Sequence, residues 1–314
     1  MTVAGIIPVT AVAPIECVKL LLQTQGEMLK QGTITRPYNG TIGCIMQTFR
    51  NEGLLSFWRG NLTNCFRSVC HQPLNFVFKD KVKCMFKQNR NYPYIVNFGK
   101  NIASGSLAGA LSLCFVYSLD YTRTRLTTDV KSTKKGGGER KHAMVTYNGL
   151  VDVYEKTLAI DGIVGLYRGF VISCVEIIIY RGCYFGLYDT LKPILIGPDS
   201  GISSSFLLGY CIPITSGFIS YPFDTIVRRM MITSGQPVKY KGSMDCMCQI
   251  LRTEGVMAFY KGVGVTLLRG IAGAGLLSSS DKLVTLYISV KRFLSSRDIP
   301  ISSPRGCEDD IGTI

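Results

Sequence analysis

The sequence is poor in histidine and in paired cysteines, and each shortage argues against a class of function. Only two histidines occur, His71 and His142. Cys246 and Cys248 form the one close pair among twelve cysteines, and no histidine accompanies them, so we expect no metal site. No nucleophile stands beside a base, and the glycine-rich stretch at 131–141 lacks the spacing of a P-loop. We therefore expect neither an enzyme nor a bound cofactor.

Charge is also scarce, and one sign is in excess. Charged residues make up 18% of the chain, yet Lys and Arg total 35 against 21 Asp and Glu, a net charge of +14. The mean hydropathy is +0.22. A soluble domain of this size normally carries more charge of mixed sign. This balance favours a membrane protein that handles anions or contacts anionic lipid, and we expect no nucleic-acid partner.

Apolar segments long enough to cross a bilayer recur along the chain. Residues 202–223 and 102–119 carry no charge. Four weaker segments are interrupted by charge: 3–25, 64–86, 170–191 and 265–290. Charges inside a span are costly unless they face a protein interior or a water-filled cavity. We predict six membrane helices with both termini on one side; a soluble bundle of amphipathic helices is the alternative.

Three short motifs recur in one order along the chain. The first occupies residues 14–19 (PIECVK), 118–123 (SLDYTR) and 222–227 (PFDTIV), a spacing of 104 residues. A Tyr-x-Gly motif and then a Trp/Tyr-Arg/Lys-Gly motif follow each copy. Such recurrence indicates homologous repeats, which we set at 1–92, 93–197 and 198–294, before a polar tail at 295–314. We predict an all-α membrane protein: three tandem repeats of two transmembrane helices form a pseudo-threefold six-helix bundle around a central cavity.

The chain resembles the mitochondrial carrier family, and within it the ADP/ATP carriers. The resemblance reaches about residue 292 and rests on TAVAPIECVKLLLQ (10–23), FWRGN (57–61), LNFVFKDK (74–81), LCFVY (113–117), RTRL (123–126), IIIYR (177–181) and SYPFDT (220–225). It implies a monomer that exchanges ADP and ATP across the mitochondrial inner membrane by alternating access. Two alternatives remain open: a carrier of another nucleotide or anion, and a membrane scaffold that does not transport.

The first motif predicts a gate at the ends of the odd-numbered helices. A proline inside a helix kinks it, and an acid and a base three residues apart lie on one face. In the family these charges pair between neighbouring helices and close the matrix side. The resemblance implies a matrix gate of Glu16, Lys19, Gln23, Asp120, Arg123 and Asp224, with Glu16–Arg123 and Lys19–Asp224 as pairs and Gln23 as a brace.

The third repeat departs from the family's pattern at both gates. The base expected opposite Asp120 is Val227, so Asp120 loses its partner unless Arg228 turns inward to replace it. The nucleotide-carrier signature survives only as a remnant at Arg228, Arg229, Met230 and Met231. On the even helices the resemblance implies a cytoplasmic gate of Asp80, Lys83, Asp189, Lys192 and Asp281, where Val284 again replaces a base.

Arginines within the even helices are candidates for binding a multiply charged anion. The planar guanidinium donates two hydrogen bonds to a phosphate and keeps its charge. By resemblance, the substrate site comprises Arg67, Asn75, Ile177, Tyr180, Arg181, Ser220 and Arg269, with Arg67 and Arg269 on the phosphates. Two departures, Val9 and Glu176, change the charge of this site. A glutamate beside the base-binding surface adds negative charge where a nucleotide must approach.

The glycine motifs predict binding sites for anionic lipid headgroups. Glycines at helix starts leave backbone N–H groups exposed, and these attract anions. In the family such sites hold cardiolipin, and the implied residues here are Gly40, Arg59, Gly60, Gly149, Arg168, Gly169, Gly242, Lys261 and Gly262. Simple helix capping is the alternative explanation.

Overall fold

A computed structural model describes residues 2–85, 93–130, 147–195, 202–234 and 240–270. The side chains of residues 2–5, 83, 94, 193–195 and 202–208 are not described. All described residues belong to one compact unit, Met1–Ile271. Asp281, Val284, His142, the stretch at 131–141 and the tail at 295–314 lie outside the described residues.

The described chain is helical and contains no strand. Eight α-helices follow one another: α1 Thr2–Lys30, α2 Gly40–Glu52, α3 Asn61–Met85, α4 Tyr94–Thr128, α5 Leu150–Leu166, α6 Phe170–Leu195, α7 Ile202–Thr233 and α8 Ser243–Thr253. Two short 3-10 helices, Leu54–Trp58 and Val256–Tyr260, lead into the Arg/Lys-Gly turns of repeats 1 and 3. A further helical stretch covers 263–270. Repeats 1 and 2 therefore each show a long helix, a short helix and a long helix, and repeat 3 shows a long helix, a short helix and the described start of a further helix at 263–270.

The first long helices of the three repeats, α1, α4 and α7, are the odd-numbered membrane helices of the predicted bundle, and α3 and α6 are even-numbered ones. Prolines lie inside two of the three odd-numbered helices. Pro14 lies in α1 and Pro222 in α7, where each removes a backbone hydrogen bond, but Ser118 stands at the equivalent place in α4. A proline kink at the motif can therefore apply to α1 and α7, whereas α4 contains no proline. Helix α3 packs against α4 and α6 against α7, so successive repeats are joined by their long helices.

Three described helices are long and apolar enough to cross a membrane: Ile6–Lys30, Ile95–Thr128 and Phe170–Lys192. Helix α3 does not qualify because it carries charged residues, among them Arg67, Lys79 and Asp80. The structure therefore supports an all-helical protein of three repeats, with half of the six predicted spans recognisable from length and hydropathy.

The Arg/Lys-Gly turn of each repeat, which contains Gly60, Gly169 or Gly262, packs against the first long helix of the next repeat. A Cβ at Gly60 would lie 3.3 Å from the carbonyl oxygen of Arg123, and one at Gly262 would lie 3.3 Å from that of Lys19. At Gly169 the corresponding distance, to the carbonyl oxygen of Val227, is 3.6 Å. Repeat 1 thus touches repeat 2, repeat 2 touches repeat 3, and repeat 3 returns to repeat 1 in a closed ring.

Candidate functional site

A cavity of about 610 Å³ lies between α3, α4 and α6 and holds four of the predicted substrate residues. These four are Asn75, Ile177, Tyr180 and Arg181. The rest of the lining consists of His71, Lys79, Gly109, Leu113, Glu176, Tyr184 and Phe185. The residues from α3 recur every four positions and those from α6 form adjacent pairs four positions apart, so each set lies along one helix face. The lining combines aromatic surface with cations, which suits a flat base joined to phosphates.

Two glycines of α4 let Arg181 of α6 lie close to the α4 backbone. A Cβ at Gly105 would lie 3.2 Å from Cδ of Arg181, and one at Gly109 would lie 3.1 Å from Cγ2 of Ile177. Small residues four apart allow this close approach of helices. The Gly-x-x-x-Gly pattern therefore sets the width of the cavity beside its cation.

The acids and bases of the first motif form an ionic network near the kinked ends of α1, α4 and α7. Lys19 Nζ lies 2.7 Å from Asp224 Oδ2, and Arg123 pairs with Glu16. Gln23 Nε2 donates to Asp224 Oδ2 at 3.0 Å. The two implied pairs and the implied brace are thus present as contacts, and each joins helices of different repeats.

Asp120 keeps a partner, because Arg228 turns inward in place of the base that Val227 replaces, which is the alternative that the sequence left open. Arg228 Nη1 lies 3.0 Å from Asp120 Oδ2, while its Nε lies 3.1 Å from Asp224 Oδ1. The neighbouring arginine reaches inward and bridges two acids that belong to different repeats. Val227 itself is buried among apolar residues. The sequence signal for this substitution was the adjacent arginine of the remnant motif.

The two arginines assigned to the phosphates lie against acids of the network. Arg67 Nε is 3.8 Å from Asp120 Oδ1, and Arg269 Nη1 is 3.7 Å from Glu16 Oε1. Neither lines the cavity described above. Ser220 is also apart from it, since its buried hydroxyl donates to the carbonyl of Gly217 at 3.2 Å. The predicted substrate residues therefore divide into a cavity group and a group on the network.

A second buried ionic cluster, not foreseen from the sequence, surrounds the remnant residue Arg229. Its guanidinium donates to both carboxylate oxygens of Glu254, at 2.5 and 2.9 Å, and Lys261 Nζ donates to Glu254 at 3.1 Å. Burial acts to raise the pKa of Glu254, but these two cations lower it to about 2. Tyr240 donates to the buried carboxylate of Glu27 nearby. Met230 and Met231 are buried in apolar clusters beside the same helix.

The described residues of the predicted cytoplasmic gate lie near the C-terminal ends of α3 and α6. Asp80, Asp189 and Lys192 are exposed, and Lys192 Nζ lies 5.3 Å from the ring centroid of Tyr188. Lys83 belongs to α3, but its side chain is not described, and Asp281 lies outside the described residues.

The predicted lipid residues lie at turns and helix starts. A cavity of about 670 Å³ is lined by Arg168, Gly169, Tyr240 and Lys241, among others, and Arg168 Nη2 donates to the carbonyl of Tyr240 at 2.6 Å. Arg59 pairs with Glu52. Gly40 begins α2, while Gly149 and Gly242 precede α5 and α8, and no side chain caps any of these three helix starts. Uncapped N–H groups at helix starts favour anions.

Comparison with known proteins gave strong matches over most of the chain. The sequence profile described as "Mitochondrial carrier protein" matches residues 2–90, 95–199 and 198–291. The chain is 54% identical over 284 residues to an ADP,ATP carrier protein of Chlamydomonas reinhardtii, covering 90% of this chain and 91% of that protein. It is 50% identical over 291 residues to ADP,ATP carrier protein 3 of Saccharomyces cerevisiae, covering 92% and 93%. It is 53% identical over 292 residues to ADP,ATP carrier protein 2, mitochondrial, of Arabidopsis thaliana, covering 92% and 74%.

Proposed function

The chain belongs to the mitochondrial carrier family, and from that premise we propose that it exchanges ADP for ATP across the mitochondrial inner membrane by alternating access. It is a transporter and not an enzyme. The identity to ADP,ATP carriers over nine-tenths of the chain carries the proposal. The cavity supports it with aromatic and cationic lining residues that suit a nucleotide.

The transmembrane architecture is a six-helix bundle with pseudo-threefold symmetry. The long–short–long order of repeats 1 and 2, its beginning in repeat 3 and the closed ring of turn contacts support it. The charged helix α3 spans the membrane because its charges face the central cavity, where water and neighbouring charges compensate them. The stretch at 263–270 begins the sixth helix at the place where α3 and α6 begin in their repeats.

The ionic network at the ends of α1, α4 and α7 acts as the matrix gate. Its pairs join all three odd-numbered helices, so the cavity is closed on that side when they form. Opening toward the matrix requires these pairs to separate, and the second set of charges at the opposite ends then closes the cytoplasmic side. Alternating access follows because the two sets form in turn.

Substrate binding and gate opening are coupled through Arg67 and Arg269. Both lie within 4 Å of a gate acid, at 3.8 Å from Asp120 and 3.7 Å from Glu16. A polyphosphate offers these guanidinium groups a stronger partner, so binding draws them away from the acids and weakens the closed network. Tyr180 and Ile177 contact the adenine, Arg181 faces the nucleotide from α6, and Asn75 and Ser220 supply polar contacts.

Cardiolipin binds where the Arg/Lys-Gly turns meet the starts of the short helices. The 670 Å³ cavity beside Arg168 and Gly169 is the best formed of these sites, because Lys241 and an uncapped helix start converge on it. The carrier functions as a monomer, a proposal supported by the described cavity and matrix network, whose residues all come from one chain.

The test is exchange in proteoliposomes with a panel of labelled nucleotides. We expect ADP and ATP to exchange, and Arg67→Ala or Arg269→Ala to lower the rate by at least about tenfold through loss of a charge-assisted contact. Lysine at either position should rescue poorly because it lacks the planar fork. Arg50→Ala is the matched control, because Arg50 is exposed on α2.

Two other outcomes would identify the alternative functions. Exchange of a different nucleotide or anion alone would favour the second candidate, which Glu176 and Val9 support by making the site less positive. Insertion without exchange of any solute would favour a scaffold. Arginine variants that exchange ADP and ATP at the wild-type rate would refute the assigned phosphate contacts.

A further inference from the structure

The fourth residue after the turn glycine is polar in every repeat, but its contact differs in repeat 1. The three residues are Asn64, Ser173 and Thr266. Ser173 faces the hydroxyl of Tyr117, and Thr266 faces that of Tyr221. Asn64 instead donates from Nδ2 to Oε2 of the gate acid Glu16 at 3.1 Å. Repeat 1 therefore directs toward the gate a side chain that the other two repeats direct toward a tyrosine.

The difference arises one position before the first motif. Tyr117 and Tyr221 stand there in repeats 2 and 3, and each donates to the carbonyl that precedes its turn glycine, at 2.7 and 3.1 Å. In repeat 1 the same position is Ala13, and a cavity of about 10 Å³ is lined by Ala13, Asn64 and their neighbours. Because alanine has no hydroxyl, the Asn64 amide is available to Glu16.

Glu16 has contacts from all three repeats. Arg123 of repeat 2 pairs with it, and Arg269 of repeat 3 lies 3.7 Å from its Oε1. Asn64 belongs to repeat 1, as Glu16 does, and is only 4% exposed. Parting the repeats separates Glu16 from both arginines, whereas its contact with Asn64 crosses no boundary between repeats.

Other contacts within repeat 1 hold α3 beside α1. Asn61, at the start of α3, donates from Nδ2 to Thr10 Oγ1 at 3.2 Å. Trp58 Nε1 donates to the carbonyl of Thr10 at 3.0 Å. These bonds join α1 to α3 and to the turn before it without a residue of another repeat. Asn64 and Glu16 therefore move as one body when the gate opens.

We propose that Asn64 is a positioning residue of the matrix gate, which keeps its hydrogen bond to Glu16 in both states of the gate and thereby favours opening. This inference rests on the proposed alternating access. A carboxylate is strongly stabilised by a hydrogen bond, and a buried one left without a partner bears the full cost of its lost hydration. In the closed state Arg123 and Arg269 also contact Glu16, so loss of the amide costs the open state more than the closed state.

The variant Asn64→Leu tests this, because leucine keeps the branched shape of asparagine but has no hydrogen-bond donor. We expect the ratio of matrix-open to matrix-closed protein to fall about tenfold, as for the loss of one charge-assisted hydrogen bond. Pulsed electron paramagnetic resonance measures the ratio in proteoliposomes, between noncanonical spin-labelled residues that replace Arg50 and Glu155. Both residues are exposed, Arg50 on α2 of repeat 1 and Glu155 on α5 of repeat 2, so the distance between the labels lengthens when these repeats part.

Two matched variants separate this role from a structural one. Ser173→Ala changes the equivalent position of repeat 2, which faces a tyrosine, and should keep the wild-type ratio. Asn64→Gln keeps the amide and should recover part of the ratio that Asn64→Leu loses. A purely structural role would lower the denaturation midpoint of Asn64→Leu and leave the ratio of the two states unchanged. That result, or a rise in the ratio, would overturn the inference.

Exchange of labelled ADP and ATP by the wild-type protein, in proteoliposomes of the same composition, tests the proposed function separately. Absence of that exchange would refute the proposed function. If the wild-type protein exchanges both nucleotides and Asn64→Leu matches its initial rate at equal insertion, the function stands and this inference fails. An initial rate about tenfold lower in Asn64→Leu, with the wild-type rate in Ser173→Ala, supports both.

Discussion

At the residue scale, Arg228 holds two acids of different repeats with one side chain. Replacing it with Gln leaves Asp120 with Arg67 at 3.8 Å as its remaining cation and removes one partner of Asp224. Loss of one member of a buried ion pair costs roughly 2–5 kcal/mol, less where water reaches the cavity. We expect Arg228→Gln to lower the melting temperature of the detergent-solubilised protein and to favour the matrix-open state.

The double substitution Val227→Arg with Arg228→Val tests whether Asp120 needs its arginine at position 228 or can also pair with an arginine at position 227. An arginine at 227 stands where the family's base stands, so the double variant should recover part of the lost stability. Equal melting temperatures for wild type and Arg228→Gln would show that the bridge contributes nothing. Arg50→Gln, an exposed change of the same kind, provides the baseline.

Also at the residue scale, Glu254 gives the ionic cluster around Arg229 a dependence on pH. Its pKa falls from 4.5 to about 2 because Arg229 and Lys261 outweigh the effect of burial. A carboxyl group whose pKa is lower in the folded protein stabilises the fold at pH values above its pKa in the unfolded chain. This stability is lost as the pH falls through the pKa of the folded protein. We expect Glu254→Gln to destabilise the protein by about 1–2 kcal/mol at neutral pH, after allowance for screening, with the deficit shrinking below about pH 4.5.

The measurement is the denaturation midpoint of wild type and Glu254→Gln across this pH range. The exposed change Glu155→Gln should show no such convergence toward the wild-type midpoint. A deficit that stayed constant down to the lowest pH would mean that packing, and not charge, explains the effect of Glu254→Gln.

At the element scale, Gly109 sets the separation of α4 and α6. A Cβ there would lie 3.1 Å from Ile177, which is tighter than an ordinary contact, and a leucine needs still more room. We expect Gly109→Leu to push α6 outward, cost roughly 1–3 kcal/mol and weaken nucleotide binding. Gly99→Leu is the matched control in the same helix, because Gly99 is exposed and a Cβ added there would have no atom within 4 Å. Equal nucleotide affinities in the two variants would contradict the proposed role of the glycine.

At the scale of the whole molecule, the three turn glycines close the ring of repeats. Gly169 has φ +90°, and a Cβ there would lie 2.9 Å from the Tyr117 hydroxyl. The left-handed backbone costs an alanine roughly 1–2 kcal/mol, and the close contact adds to that. We expect Gly169→Ala to lower the melting temperature more than Gly32→Ala, since Gly32 has φ +72° and no atom within 4 Å of a Cβ. Similar decreases in melting temperature for the two variants would mean that the strained backbone alone, and not the contact with Tyr117, lowers the stability.

Repeat register explains which contacts could be predicted from the sequence. Lys19–Asp224 and Glu16–Arg123 were predicted because the three motifs recur at equal spacing and the resemblance to the family implies that their charges pair between neighbouring helices. Arg228 lies one position after the base of the other two motifs. Its contact with Asp120 therefore depends on the length and direction of its side chain, which a sequence pattern does not specify. The same holds for the contacts that bring Arg67 and Arg269 to the gate acids.

The Glu254 cluster was missed for a different reason. Glu254 and Lys261 do recur, as Glu52 with Arg59 and as Asp161 with Arg168, but Arg229 and Glu27 have no equivalent in all three repeats, so the pattern did not bring them together with Glu254. Helix α3 was not recognised as a span from its hydropathy for a related reason, since it carries Arg67, Lys79 and Asp80 among its apolar residues. A single chain's hydropathy averages these charges with the apolar residues.

Closure of the ring also determines when each part can fold during synthesis. Lys19 must wait for Asp224, which is translated 205 residues later, and Glu16 waits 107 residues for Arg123. Until then Glu16 and Lys19 of α1 lack these partners. Assembly is therefore completed only after the third repeat emerges, and any truncation before α7 leaves the first helix with half of its charge pairing unmade.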